Sequence, residues 1–150
     1  MRQLLFIGFI LFSGNVVLAQ DIAADEVPSL VLNQFNADFP NAGDIEWELE
    51  NQSYHVEFEL GRHKDLDAWY SKEGDLVKVK ESIEKRDLPK VVLNAIEKQY
   101  PDYRIDDVAK MTSGKSISYK VELENRRGEL TKLFGADGTI IKKKKKNYML

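Results

Sequence analysis

Residues 27–40 (VPSLVLNQFNADFP) and 88–101 (LPKVVLNAIEKQYP) are two versions of one segment, 61 positions apart. Pro28/Pro89, Val31/Val92, Leu32/Leu93, Asn33/Asn94 and Pro40/Pro101 are identical. A fixed-period echo marks a duplicated structural unit, and it constrains every later step of the fold. In each copy a proline opens the segment, where a helix start loses nothing by its missing N–H. Val27, Val31, Phe35 and Phe39 then recur every four residues, broadened by Leu30 and Leu32. Leu88, Val92, Ile96 and Tyr100 repeat the stripe beside Val91, Leu93 and Ala95. This spacing predicts one amphipathic helix of about three turns per copy. Pro40 and Pro101 end both, because proline cannot continue the backbone ladder.

After each helix the apolar period changes from four to two. Residues 53–60 (SYHVEFEL) set Tyr54, Val56, Phe58 and Leu60 against His55, Glu57 and Glu59. Residues 118–124 (SYKVELE) do the same with Tyr119, Val121 and Leu123 against Lys120, Glu122 and Glu124. Strict alternation predicts an antiparallel sheet with one buried and one wet face. An earlier strand is expected at 44–50, matched loosely by 104–111. Two more are expected around each glycine turn: 66–71 and 76–80 about Gly74, then 130–134 and 139–143 about Gly138. Each unit therefore reads α-β-β-β-β, over 27–83 and 88–146, joined by the short polar stretch 81–87. The expected fold class is α+β: tandem units forming a single domain at 20–150, with helices packed on one face of an antiparallel sheet.

Residues 1–19 follow a different logic. Arg2, the apolar run at 4–12, the break at Ser13-Gly14-Asn15, and Val17 and Ala19 at the −3 and −1 positions read as a cleaved signal peptide. Nine apolar residues are too few for the ~20 of a spanning helix. No cysteine follows the cleavage site, so soluble export to the periplasm or medium is expected, not a lipoprotein and not a membrane span. Zero cysteines in the chain also exclude a disulfide framework and thiol chemistry. Residues 20–141 carry 16 basic against 25 acidic residues, a net of −9, while residues 142–146 are five lysines. That field does not suit a nucleic-acid partner.

The ordered set now on the page resembles a known family. A helix opening hydrophobic-Pro and closing Phe/Tyr-Pro is followed by Trp47, then Tyr54-x-Val56-x-Phe58, then Trp69-Tyr70-x-x-x-Gly74. This pattern resembles the PepSY-like, or β-lactamase-inhibitor-like, proteins, small exported proteins of Gram-negative bacteria. The resemblance implies tandem units with helices on one face of an antiparallel sheet and an open opposite face. Related folds include inhibitors that grip an enzyme with a concave aromatic sheet and domains that restrain peptidases. It does not by itself make this chain an inhibitor, since function belongs to sites and not to folds. The second copy departs from the pattern, with Val108 where Trp47 aligns, and Leu133 and Phe134 at Trp69 and Tyr70.

No nucleophile elbow or phosphate loop appears, and a Ser53, His55, Asp65 grouping has no motif behind it. The chain is expected to be non-enzymatic and without a cofactor. Trp47, Trp69 and Tyr70 are the candidate partner-binding residues, since Trp and Tyr anchor interfaces. Adjacent strand residues face opposite sides, so Trp69 and Tyr70 divide between core and open face. His55, Glu57 and His63 are the candidate metal ligands. Alternate residues on one strand stand ~7 Å apart, however, so a solvated polar face is the stronger reading unless another strand contributes. Lys142, Lys143, Lys144, Lys145 and Lys146 suit weak contact with an anionic membrane surface or a charged edge strand that resists aggregation. Asn51-Gln52-Ser53 reads as a tight turn and not as a glycan acceptor. The functional expectation is an exported protein-binding module with an unknown protein partner, its specific form being inhibition or modulation of an envelope hydrolase or peptidase. The alternatives are a periplasmic small-molecule or metal sensor and a structural envelope protein.

Overall fold

A computed structural model describes residues 20–61 and 64–142. Residues 1–19, read above as a signal peptide, together with His63 and Lys143–Lys146, lie outside the described residues. The fold is α+β, one eight-stranded antiparallel sheet with two helices. The strands are β1 (Gln20–Ile22), β2 (Ala42–Glu50), β3 (Ser53–Leu60), β4 (Asp65–Tyr70), β5 (Leu76–Ser82), β6 (Arg104–Ser113), β7 (Ser116–Asn125) and β8 (Gly128–Gly135). They lie in the sheet in chain order, every neighbour antiparallel. Helix α1 (Ser29–Asp38) precedes β2, and α2 (Lys90–Gln99) precedes β6.

Both helices follow their sequence signals to within a residue. Pro28 and Pro89 are the N-caps, one position before the helix proper, with extended ψ angles of 136° and 139°. The backbone N–H groups of Phe39 and Tyr100 donate to Phe35 and Ile96 and close the last turns; Pro40 and Pro101 follow at once. Val31 and Phe35 are buried with Trp47, Val56, Phe58, Leu66, Ala68 and Tyr70. Val92 and Ile96 are buried with Val108, Tyr119, Val121, Leu123 and Phe134. Each helix thus buries one stripe against its own strands, which is where most of a short helix's stability arises. Leu30 and Val91, expected to broaden the stripes, are instead 58 % and 46 % exposed.

The tight turns repeat as well. Gly74 and Gly138 take φ of +87° and +82°, the left-handed region that glycine enters without steric cost. A Cβ at Gly74 would meet Leu30 Cγ at 3.1 Å, and one at Gly138 would meet the Val91 carbonyl oxygen at 2.9 Å. Asn51 and Gln52, at φ 48° and 71°, form the β2–β3 turn, the two-residue geometry that matches strand twist.

Two features differ from expectation. Strand β1, three residues paired with Trp47–Leu49 of β2, carries no readable alternation. The strand expected at 139–143 is, among the described residues, a single bridge between Ile140 and Phe134. After the Gly138 turn, the Ile141 N–H donates to the Leu133 carbonyl at 2.7 Å and the described chain ends one residue later. Among the described residues α2 is therefore followed by three full strands, where α1 is followed by four.

Candidate functional site

Register builds the candidate site. Trp47, Val56, Ala68 and Val79 are successive cross-strand partners in β2–β5 and pack with α1. Their chain neighbours Glu48, His55, Trp69 and Lys78 form the adjacent row and, because strand side chains alternate, project away from α1. Glu57, Asp67 and Lys80 make a second row on that same side.

His55 is the centre of this face and is only 5 % exposed. Its Nδ1 stands 3.1 Å from a Glu48 carboxylate oxygen, and its Nε2 stands 3.0 Å from an Asp67 oxygen. Carboxylates only accept, so satisfying both contacts requires both ring nitrogens to donate, which is the imidazolium form. Burial opposes that charge. Hydrogen bonds to Asp67 and Glu48 and the fields of Asp67 and Glu57 outweigh it and raise the His55 pKa above its ordinary value. Asp67 is also disfavoured as an anion by burial, yet hydrogen bonds from His55 and Lys80 hold its pKa below the usual carboxylate range. Lys80 Nζ donates to the second Asp67 oxygen at 3.0 Å. Charge thus alternates across the sheet from Glu48 through His55 and Asp67 to Lys80.

Trp69 stands between two cations. Its ring stacks on the His55 ring at 4.4 Å between centroids and 13° between planes, and Lys78 Nζ lies 3.4 Å from its centroid. The indole N–H donates to Glu50 at 2.7 Å. His55 and Lys78 come from the strands on either side, so the indole is braced across the sheet, and the residue is half-buried. Burial lowers the Lys78 pKa despite the nearby Glu50 and Asp67.

The three aromatic candidates separate. Tyr70 is fully buried, its ring near Phe35 and its hydroxyl donating to Asp38 at 2.9 Å. Trp47 is 5 % exposed and meets Phe35 edge-on at 5.3 Å. Both are core residues beneath α1; only Trp69 is on the opposite side. In the second half Phe134, fully buried, takes the place of Tyr70, and Leu133 takes the place of Trp69.

The metal candidates fare differently from one another. His55 and Glu57 come together with Asp67, donor atoms all within 4.8 Å. The partner from another strand, which spacing alone demanded, is Asp67; His63 is outside the described residues. An imidazolium has no lone pair for a metal, and Lys80 already neutralises Asp67, so metal would have to displace a proton and an ammonium together. Lys142 is exposed. Sequence reasoning missed Glu48, Glu50, Asp67, Lys78 and Lys80, whose roles depend on register; the period-two alternation of β2, β4 and β5 was the available signal.

The family described as "Putative beta-lactamase-inhibitor-like, PepSY-like" matches this sequence at residues 17–78 and at residues 52–142. The chain belongs to this PepSY-like family. Its fold is shared with solved structures. A DUF2874 family protein from Bacteroides uniformis is 21% identical, with 77% of this chain and 86% of that one covered and a TM-score of 0.71. A BLIP-like protein from Bacteroides fragilis is 19% identical, with 78% and 84% covered and a TM-score of 0.67. A Bacteroides eggerthii protein described as "putative periplasmic" is 16% identical, with 77% and 86% covered and a TM-score of 0.72. At such identities the likeness is one of fold. Among curated proteins none matches this PepSY-like chain. No helix among the described residues is long and apolar enough to cross a membrane.

Proposed function

We propose that this chain is an exported, non-catalytic protein-binding module whose contact surface is the sheet face carrying Trp69. The braced indole is the observation that carries the reading. An aromatic held by His55, Lys78 and Glu50 has little rotamer entropy left to lose on binding, the property that makes Trp and Arg dominate interfaces. Its surroundings of mixed charge suit a polar rim.

Register supports a single open face. Val79, on the α1 side, pairs with Thr112, and alternation along β6 carries that side to Val108, which packs with α2. We infer that both helices cover one face of a duplicated unit, with the other left for a partner. The His55 arrangement argues for binding over catalysis, since both nitrogens are committed to carboxylates and neither is free to take a substrate proton. A BLIP-like protein among the structural neighbours and the signal-like residues 1–19 are consistent with an exported module acting on an envelope hydrolase or peptidase.

Affinity capture from envelope extract, comparing the unaltered protein with Trp69→Ala, tests the reading. Loss of a partner that Trp47→Phe retains is the expected result. Equal capture by Trp69→Ala would remove this face from the contact, and capture of nothing by either would undo the binding-module reading.

A further inference from the structure

The second half carries a counterpart of the braced tryptophan from which most of the anionic groups are gone. Lys120 occupies the position of His55 and pairs with Leu133, as His55 pairs with Trp69. Lys142 stands where Lys78 does, four residues beyond its turn glycine. Three carboxylates of the first half, Glu48, Glu50 and Asp67, have no such counterparts. Glu48 becomes Ala109, the partner of Lys120; Glu50 becomes Met111; and Asp67 becomes Thr131, the partner of Glu122. Of the carboxylates around His55 and Trp69, Glu57 alone keeps an acidic counterpart, Glu122, whose oxygen is 2.6 Å from Lys120 Nζ.

The result is a groove of ≈ 650 Å³ with Met111, Leu133 and Ile141 among its apolar surface and Lys78, Lys120 and Lys142 among its walls; no acidic residue among those described lines it. That volume lies within the ~300–1,000 Å³ typical of small-molecule sites. Lys78 forms no ion pair among the described residues, although the residue is half-buried and its Nζ lies 3.4 Å from the Trp69 ring centroid. Only the fields of Glu50 and Asp67, neither in contact with it, offset the burial of this cation, and a bound anion would relieve the remaining cost. Ile141 is 42 % exposed, so apolar area and positive charge are offered side by side.

We propose that this groove is a binding site for a free, single-chain anionic amphiphile, its carboxylate set among Lys78, Lys120 and Lys142 and its hydrocarbon chain over Met111, Leu133 and Ile141. The site is separate from the partner contact proposed above, although Lys78 joins the two, so occupancy also changes the setting of Trp69.

Dodecanoate, used below its micellar concentration, is the probe, followed by methyl NMR of Met111, Leu133 and Ile141. Saturable shifts at these three methyl groups are expected. Affinity should fall at least tenfold in Lys78→Gln/Lys142→Gln, and likewise in Thr131→Asp, which restores the first half's carboxylate. Unperturbed remote methyl signals would show that these surface variants remain folded. Dodecanol and acetate, each holding one half of the chemistry, should bind at least tenfold more weakly. Shifts spread over the whole protein, or equal affinity in the Thr131→Asp variant, overturn the proposal. So does binding seen only with phosphatidylglycerol vesicles, which would assign the lysines to a membrane surface instead.

Discussion

Replacing His55 by glutamine removes the one cation that joins Glu48 to Asp67, and its cost should depend on pH in a defined direction. Two charge-assisted hydrogen bonds are lost, each worth about 1.5–3 kcal/mol. The two do not count equally. The Glu48 side chain is 29 % exposed and rehydrates when released, whereas that of Asp67 is 15 % exposed and keeps only Lys80. Most of the loss therefore falls on the Asp67 arm, for a total of about 3 kcal/mol at pH 6. At about 4 °C per kcal/mol for a domain of this size, the melting temperature should drop by about 12 °C.

The pH dependence follows from the raised folded-state pKa of His55. Such a group stabilises the fold fully below its unfolded value near 6.5, and the contribution fades as pH rises through the folded pKa. Above that pKa the neutral ring still donates to one carboxylate, so the penalty of His55→Gln should shrink to about 1 kcal/mol. Asp67 works in the opposite sense at the acid end. Its lowered pKa gives stability that is present above the unfolded value near 4 and is lost as pH falls through the folded pKa. Urea unfolding of both proteins from pH 5 to 9.5, followed by far-UV circular dichroism, measures the difference directly. A penalty that stays constant or grows with pH would show that His55 is not the imidazolium its geometry requires.

Other expectations address single features. Tyr70→Phe should cost about 1.5 kcal/mol in urea unfolding, the low end for a hydrogen bond to a charged group because Asp38 is exposed; a neutral effect would mean that Asp38 rehydrates at no loss. Gly138→Ala should cost about 2 kcal/mol or more, since φ is positive and the added Cβ meets a carbonyl oxygen. Gly61→Ala, also at positive φ but in open space, separates the clash from the backbone term by costing about 1 kcal/mol. Phe35→Ala, which removes the ring meeting Trp47, Phe58 and Tyr70, should cost about 3–5 kcal/mol. Zinc at tens of micromolar should leave the melting temperature unchanged at pH 6, and a rise of several degrees would mean that metal displaces the His55 proton.

Local chemistry was legible and pairing was not. Helix ends, the Asn51-Gln52 turn and the alternation of β3 and β7 follow from residue types within a few positions, so prolines and period-two stripes suffice to place them. Alternation also foretold that Trp69 and Tyr70 would part, without saying which faced the helix. That choice belongs to the register linking Trp47, Val56 and Ala68. The His55–Asp67 contact spans twelve residues and exists only because β3 and β4 pair in one register and not its neighbour; a shift by one residue would send every side chain to the other face. Strand β1 was illegible for another reason. Three residues are too few to display a period, and its pairing is set by the edge β2 offers.

The same logic makes the difference between the halves more informative than their likeness. Core positions differ within apolar chemistry: Trp47 against Val108 and Tyr70 against Phe134 are all buried. Such exchanges preserve packing and say little about function. On the other side of the sheet the exchanges change charge, with Glu48, Glu50 and Asp67 against Ala109, Met111 and Thr131. Met111 is half-buried and Thr131 exposed, so packing does not require the loss of a carboxylate there, and losing them near Lys120 and Lys142 costs electrostatic energy in the isolated chain. Electrostatics within the chain would favour the first half's alternating charges in both halves. The second half keeps Glu122 against Lys120, and a bound anion, as proposed for its groove, would supply the charge that these exchanges removed.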